Sequence, residues 1–287
     1  MLMNKIVFFG SGWYTIPVLK KLIPHRLDLV ITTEKNPDSL FLKFCKENNL
    51  KTLSVSSASD LINHQPLIIN HSVAILASFG ALIPTSIIDH LPSGILNIHP
   101  SLLPKYKGPS PIQYQLLNGE TVVGVTIIKL DDQVDHGPIL SQKPYNLAGN
   151  ETSEDLLSIL FEIGADLVVE QIQKLEKGEE LSGTPQDHTE ESWSHKLEKN
   201  SGFIDISSQE FKISNLKFKI NDMIRAFHPW PGVWLKWQMA NDKWKIVKLL
   251  PENKIQVEGK NSMSYKDFIN GFGEEGKELL RKLNLHG

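Results

Sequence analysis

The chain has 287 residues, of which 40% are hydrophobic and 22% are charged, a composition that supports a folded core and excludes a disordered protein. A single cysteine, Cys45, excludes internal disulfides, iron–sulfur clusters and cysteine-rich zinc modules. The net charge of −3 argues against a general nucleic-acid binder, but residues 196–287 carry +5 and residues 1–195 carry −8.

The basic C-terminal part therefore has the charge expected of an appendage that contacts phosphate, although a small lysine-rich domain that merely stays soluble has the same charge. The N-terminal residues lack the pattern of a secretory signal, and no stretch is apolar for long enough to span a membrane. We expect a cytosolic, cytoplasmic protein that does not bind membranes.

Apolar runs rich in β-branched residues alternate with helical patterns through the first 183 residues. Strands are predicted at 5–9, 27–33, 72–80, 93–100 and 124–131. Helices are predicted at 15–23, 109–117 and 152–177, and a further helix is predicted to begin after Ser39, its N-cap. The strands are almost continuously apolar, which predicts an α/β domain with a Rossmann-like, mostly parallel sheet. Ligands bind such sheets at the carboxyl ends of the strands.

A polar segment without periodicity, residues 184–205, is interpreted as a linker between two domains, 1–183 and 206–287. Residues 211–224 have a helical pattern. Short alternating runs at 233–238, 243–250 and 254–259 then predict a small, OB-like β-barrel.

Three familiar binding motifs are incomplete. The turn GSGWYT after the first strand has Thr15 in place of the third glycine of a dinucleotide fingerprint. The run GFGEEGKE has Glu278 where a P-loop needs Ser or Thr, and in DDQVDHG His136 replaces the glycine of a calcium loop. We expect neither a bound nucleotide nor a metal.

The strongest chemical signal is the segment from Asn97 to Leu140. Side chains alternate along a strand, so Asn97 and His99 share one face, and Asp135 follows the next predicted strand at the same sheet edge. An amide, an imidazole and a carboxylate that meet there can polarise a carbonyl and move a proton. The residues alone leave open a second interpretation, in which the histidine is a structural strand-end residue beside an ordinary acidic turn.

This segment resembles the folate-dependent formyltransferase family. The shared motifs are Asn97-x-His99, the loop Ser-Leu-Leu-Pro at 101–104, and Asp135 followed by Gly137. SFGALIP at 78–84 is similar to the pterin-side loop of that family, and IRAFHPWPGVW at 224–234 is similar to the C-terminal domain of its methionyl-tRNA branch.

The resemblance implies transfer of the formyl group of 10-formyltetrahydrofolate, a co-substrate, to the amino group of initiator methionyl-tRNA. We expect the enzyme to be a monomer. It assigns catalysis to Asn97, His99 and Asp135, with the formyl oxygen held by the first two. It assigns folate binding to Phe79, Leu82, Ile83, Ser101, Leu102, Leu103 and Pro104. Contact with tRNA is expected from Arg225, Lys236, Lys243, Lys245 and Lys248.

One departure from the family pattern affects the acceptor. The basic insertion that usually follows the second strand is absent, and ITTEKNPDSLF contains only Lys35 as a cation. A sugar-nucleotide N-formyltransferase, which would share the catalytic residues, is therefore kept as an alternative. A noncatalytic RNA-binding protein is the third hypothesis.

Overall fold

The computed structural model describes residues 5–206, 218–239 and 242–285. The chain forms two compact units. The first comprises Met1–Pro111, Val122–Asn146 and Leu157–Ser194, and the second comprises Ile112–Thr121, Leu147–Leu156 and His195–Gly287. Residues 184–194 of the predicted linker belong to the first unit, and the predicted domain boundaries stay a prediction.

The first unit is built around a seven-stranded sheet. Its strands are β1 Ile6–Gly10, β2 Leu27–Thr32, β3 Thr52–Ser54, β4 Val73–Ala77, β5 Ile95–His99, β6 Val122–Lys129 and β7 Ile139–Asn146. The helices that occur up to residue 176 are α1 Ile16–Leu22, α2 Leu40–Glu47, α3 Ala58–Asn63, α4 Gln65–Ile68, α5 Thr85–Ile88, α6 Pro111–Leu117 and α7 Ser153–Glu176. Residues 112–117 of α6 and the first four residues of α7 belong to the second unit.

The strand order is β3-β2-β1-β4-β5-β6-β7, with parallel pairing from β3 to β5 and antiparallel pairing from β5 to β7. Apolar cores lie on both faces of the sheet, because the central strands are buried on both sides. The predicted Rossmann-like α/β fold is thereby confirmed. Ser39 is the N-cap of α2, as predicted, and its hydroxyl accepts from the amide of Leu42.

Helix α7 packs closely on the strand that carries Asn97 and His99. A Cβ atom at Gly164 of α7 would lie 2.5 Å from Cγ2 of Ile98 and 3.2 Å from Cγ2 of Val125. Ile98 separates Asn97 from His99 and points to the opposite face of β5. The missing side chain at Gly164 therefore lets the helix support the strand directly beneath the polar pair.

The second unit contains a smaller, five-stranded sheet. Its elements are α8 Ile220–Ala226, β8 Phe203–Ile204, β9 Val233–Gln238, β10 Trp244–Leu250, β11 Lys254–Val257, β12 Met263–Ser264 and α9 Tyr265–Lys282, with a break in α9 at Gly273. The order is β12-β11-β10-β9-β8.

This second sheet confirms the smaller C-terminal β-structure. The pairings of the described residues give an open strand order, so closure into a barrel stays a prediction. Of the predicted helix at 211–224, residues 220–224 lie in α8, and 211–217 lie outside the described residues. In the described part of the chain, none of the helices has the length and apolar character needed to cross a membrane.

Replacement of Gly164 by alanine should destabilise the first unit by about 1–3 kcal/mol, because the added methyl group overpacks the contact with Ile98. Urea unfolding of the variant measures this loss. Gly271→Ala is the matched control, since Gly271 lies in α9 with open space around it and should gain up to about 1 kcal/mol. Equal stabilities for the two variants would contradict close packing of α7 on β5.

Candidate active site

The structure brings the three predicted catalytic side chains together at the end of β5. Asn97 Nδ2 donates to Asp135 Oδ1 over 3.2 Å, and His99 Nδ1 lies 3.4 Å from the same oxygen. All three residues are buried, and the Asp135 side chain keeps 12% of its surface exposed. The catalytic roles themselves stay a prediction.

The loop at 104–110 holds two members of this trio by main-chain groups. His99 Nε2 lies 2.9 Å from the carbonyl oxygen of Tyr106, which can only accept, so this nitrogen carries a proton. The amide of Gly108 donates to Asp135 Oδ2 over 2.9 Å. Both oxygens of the carboxylate are therefore hydrogen-bonded, and the imidazole ring is hydrogen-bonded to the loop through Nε2.

Asp135 has a positive φ of 49°, which places it in the left-handed region that non-glycine residues seldom occupy. The buried amide of Gln186 stabilises this turn, because its Nε2 donates to the carbonyls of Asp135 (2.9 Å) and Gly137 (2.8 Å). Gly137 is required here, since a Cβ would collide with the carbonyl of Lys129. Sequence reasoning missed Gln186, because it lies in the polar segment 184–205 that is interpreted as a linker.

The predicted folate loop is anchored on β6. Thr126 Oγ1 donates to the carbonyl of Ser101 over 2.6 Å and accepts from the amide of Leu103. Gln142 on β7 donates to the carbonyl of Leu103 and to Thr126. Ser101 is fully buried and donates to the carbonyl of Lys105. This serine therefore shapes the loop from inside.

The other predicted folate residues have different environments. Phe79 is buried against Phe9 in the core, with 5.3 Å between ring centroids. Leu82, in contrast, is 75% exposed, and Ile83 and Leu102 are partly buried. Leu82, Ile83 and Leu102 therefore have side-chain surface available for contact with a ligand. The folate assignment stays a prediction.

The predicted tRNA residues lie in the second unit. Arg225 is paired internally, with NH2 2.9 Å from Asp222 Oδ1 and NH1 3.5 Å from the carbonyl of Glu151. Lys236 and Lys248 are exposed on one face of the small sheet, where Lys236 pairs in register with Ile246 and Lys248 with Trp234. Lys245 lies partly buried on the opposite face, and Lys243 is exposed just before β10.

Comparisons with known sequences show the family of this chain. A family profile described as "Formyl transferase" matches residues 31–172. The methionyl-tRNA formyltransferase of Koribacter versatilis is 31% identical in an alignment 317 positions long, which covers 97% of this chain and 99% of that protein. The chain belongs to the methionyl-tRNA formyltransferase family. The family predicted from the sequence is therefore confirmed.

Solved structures of lower identity share the fold. A 4-N formyltransferase from Francisella tularensis superimposes with a TM-score of 0.67 at 19% identity, over 87% of this chain and 98% of that one. WlaRD, a sugar 3N-formyl transferase crystallised in the presence of dTDP and 5-N-formyl-THF, has a TM-score of 0.61 at 19% identity and covers 91% of this chain and 100% of its own. At this identity the likeness shows the fold alone.

Replacement of Gln186 by glutamate should destabilise the protein by about 3 kcal/mol, because it buries a charge against the two carbonyls that the amide now binds. Urea unfolding measures this loss. Gln133→Glu, in the exposed part of the same turn, is the control and should change stability by less than about 0.5 kcal/mol. Equal effects of the two substitutions would contradict the role of Gln186 in holding the turn.

Proposed function

We propose that this protein transfers the formyl group of 10-formyltetrahydrofolate to the amino group of methionine on initiator tRNA. The observation that carries the proposal is the cluster of Asn97, His99 and Asp135 at the sheet edge, in a chain that matches a methionyl-tRNA formyltransferase along almost its full length. The trio supplies donors for a developing oxyanion and a carboxylate that exchanges a proton.

The proposed reaction is direct. The neutral amine attacks the formyl carbon, the carbonyl π electrons move onto oxygen, and the bond from carbon to the folate nitrogen then breaks. An amide has two N–H groups, so Asn97 can donate one to Asp135 and the other to the formyl oxygen. Asp135 takes the proton that the amine loses, and this proton then reaches the departing nitrogen.

Nδ1 of His99 faces the carboxylate at 3.4 Å. For His99 also to hold the formyl oxygen, as the resemblance implies, its Nε2–H would have to leave the carbonyl of Tyr106. The oxyanion donor that this geometry supports best is therefore Asn97. His99 is assigned to position Asp135, whose Oδ1 lies 3.4 Å from its Nδ1.

A sugar-nucleotide amine is the second candidate acceptor. The connection between β2 and α2 has only seven residues, 33–39, with Lys35 as its single cation. The hydroxyl of Thr33 bonds Ser11 and the carbonyl of Phe79, which holds the start of this connection against the sheet edge. A short, weakly charged connection offers little to an acceptor stem, whereas the net charge of +5 on residues 196–287 favours tRNA.

The decisive experiment offers purified protein 10-formyltetrahydrofolate with initiator methionyl-tRNA, elongator methionyl-tRNA and an amino-sugar nucleotide in parallel. The proposal predicts rapid formylation of the initiator alone. Formylation of the sugar nucleotide alone would show that the acceptor is a sugar amine, and the proposed chemistry of formyl transfer would stand. Transfer to none of the three would contradict the proposed function.

Asp135→Asn should lower kcat by about 100-fold or more, because the variant lacks the base that exchanges the proton. The KM for 10-formyltetrahydrofolate should stay within about threefold, since this loss falls on the transition state. Steady-state kinetics separates the two effects. Asp132→Asn, an exposed carboxylate of the same turn, is the control and should keep full activity. Equal losses in kcat and in folate affinity would contradict the assigned role.

The exposed lysines of the small sheet should act on tRNA alone. Replacing Lys236 and Lys248 together by alanine should raise the KM for tRNA and lower the slope of log KM against log salt by about 1 for each phosphate group that the variant no longer binds. The KM for folate should not change. Lys277→Ala, an exposed lysine of α9 paired with Glu274, serves as the control. A salt slope that is the same in all three proteins would place the tRNA surface elsewhere.

A further inference from the structure

Lys107 is a buried lysine that the trio mechanism does not use. It is 1% exposed and lies in the loop 104–110. Its ammonium donates to Glu191 Oε2 over 2.8 Å and to His188 Nδ1 over 3.1 Å, and it lies 5.6 Å from the ring centroid of Trp193. A buried ammonium is costly unless it is paired, so this site has been built to hold one.

The position of Lys107 in the loop links it to the catalytic trio. The residue before it, Tyr106, supplies the carbonyl that accepts from His99. The residue after it, Gly108, supplies the amide that donates to Asp135. Any displacement of Lys107 must therefore move a contact of His99 or of Asp135.

Segment 186–194 holds the loop by main-chain pairing. The amide of Lys107 donates to the carbonyl of Ser192 over 2.8 Å, and the amide of Ser194 donates to the carbonyl of Lys107 over 2.7 Å. The hydroxyls of Ser192 and Ser194 accept from the amides of Tyr106 and Ser110. The same segment contains Gln186, Glu191 and Trp193, so it supports the site on two sides.

The hydrogen bonds of Lys107 define the charges around it. The hydrogen bond from Lys107 and, to a smaller extent, the hydrogen bond from Trp193 lower the pKa of Glu191 from its ordinary value of 4.5. Glu191 thus stays ionised at neutral pH. An ammonium can only donate, so Nδ1 of His188 accepts and the proton of this ring lies on Nε2.

We propose that Lys107 is a positioning residue for formyl transfer. Its ammonium fastens segment 186–194 to the loop and so fixes the Tyr106 carbonyl against His99 and the Gly108 amide against Asp135. This inference rests on the proposed function and assigns to that site a residue that touches no reacting atom. It also makes Glu191 the partner through which the loop is held.

The kinetic test compares Lys107→Met, Lys107→Arg and Glu191→Gln with the wild type, using the acceptor that the wild type formylates. Lys107→Met should lower kcat by about 10- to 100-fold with both KM values within about threefold, because small displacements of a positioned group cost rate more than binding. Lys107→Arg, which restores the cation, should recover at least about a third of kcat. Glu191→Gln should also lower kcat, but by a smaller factor than Lys107→Met.

The matched control is Lys105→Met, which removes an exposed lysine from the same loop and should keep wild-type kcat. A wild-type kcat in Lys107→Met, or a rise in KM at unchanged kcat, would overturn the proposal. If Lys107→Met fails to fold, Glu191→Gln decides, and an unchanged kcat in that variant would also overturn it.

A second measurement needs no substrate. Hydrogen exchange of the Gly108 amide, which donates to Asp135, should be at least about tenfold faster in Lys107→Met than in the wild type, since this bond protects it, and unchanged in Lys105→Met. Equal exchange in all three proteins would overturn the positioning role. An inactive wild type with accelerated exchange in Lys107→Met would refute the proposed function and leave the positioning role supported.

Discussion

The site depends on the hydrogen bonds that meet at one carboxylate. Asp135 accepts from the side chain of Asn97 and from the amide of Gly108, and it faces Nδ1 of His99. Hydrogen bonds to a charged group contribute about 1.5–3 kcal/mol each, enough to hold Asp135 in the left-handed region. Because these partners come from β5 and from the loop 104–110, the site is complete only when both segments are placed around the 131–137 turn.

The order of the strands explains how these segments meet. The parallel strands end at one edge of the sheet, and β6 returns antiparallel beside β5, so that Thr126 lies in register with His99. Thr126 then anchors the loop that leaves β5. On the opposite face, Gly164 lets α7 approach Ile98 and supports the same strand end. The sheet thus positions Asn97 and His99, and the loop 104–110 supplies main-chain hydrogen bonds to His99 and Asp135.

Much of this arrangement was predictable because it follows from local periodicity. Asn97 and His99 share a face since side chains alternate along a strand, and the run VWLKWQ forms β9 over the predicted residues. The roles of Gln186 and Lys107 were not predictable in this way. Lys107 and Glu191 are 84 residues apart, and segment 186–194 has a polar pattern that is typical of a surface linker. It is held to the site by main-chain pairing with a loop, which leaves no periodic signal in the sequence.

The orientation of the His99 ring tests this account most directly. The carbonyl of Tyr106 can only accept, so the account predicts that Nε2 of His99 carries a proton and that Nδ1 faces Asp135. Nitrogen-15 NMR of the free protein distinguishes a protonated from an unprotonated ring nitrogen. A protonated Nε2 in the wild type would support the geometry from which the mechanism is derived. An unprotonated Nε2 would contradict it, because the ring would then lack its bond to the loop and Asp135 would not be oriented as described.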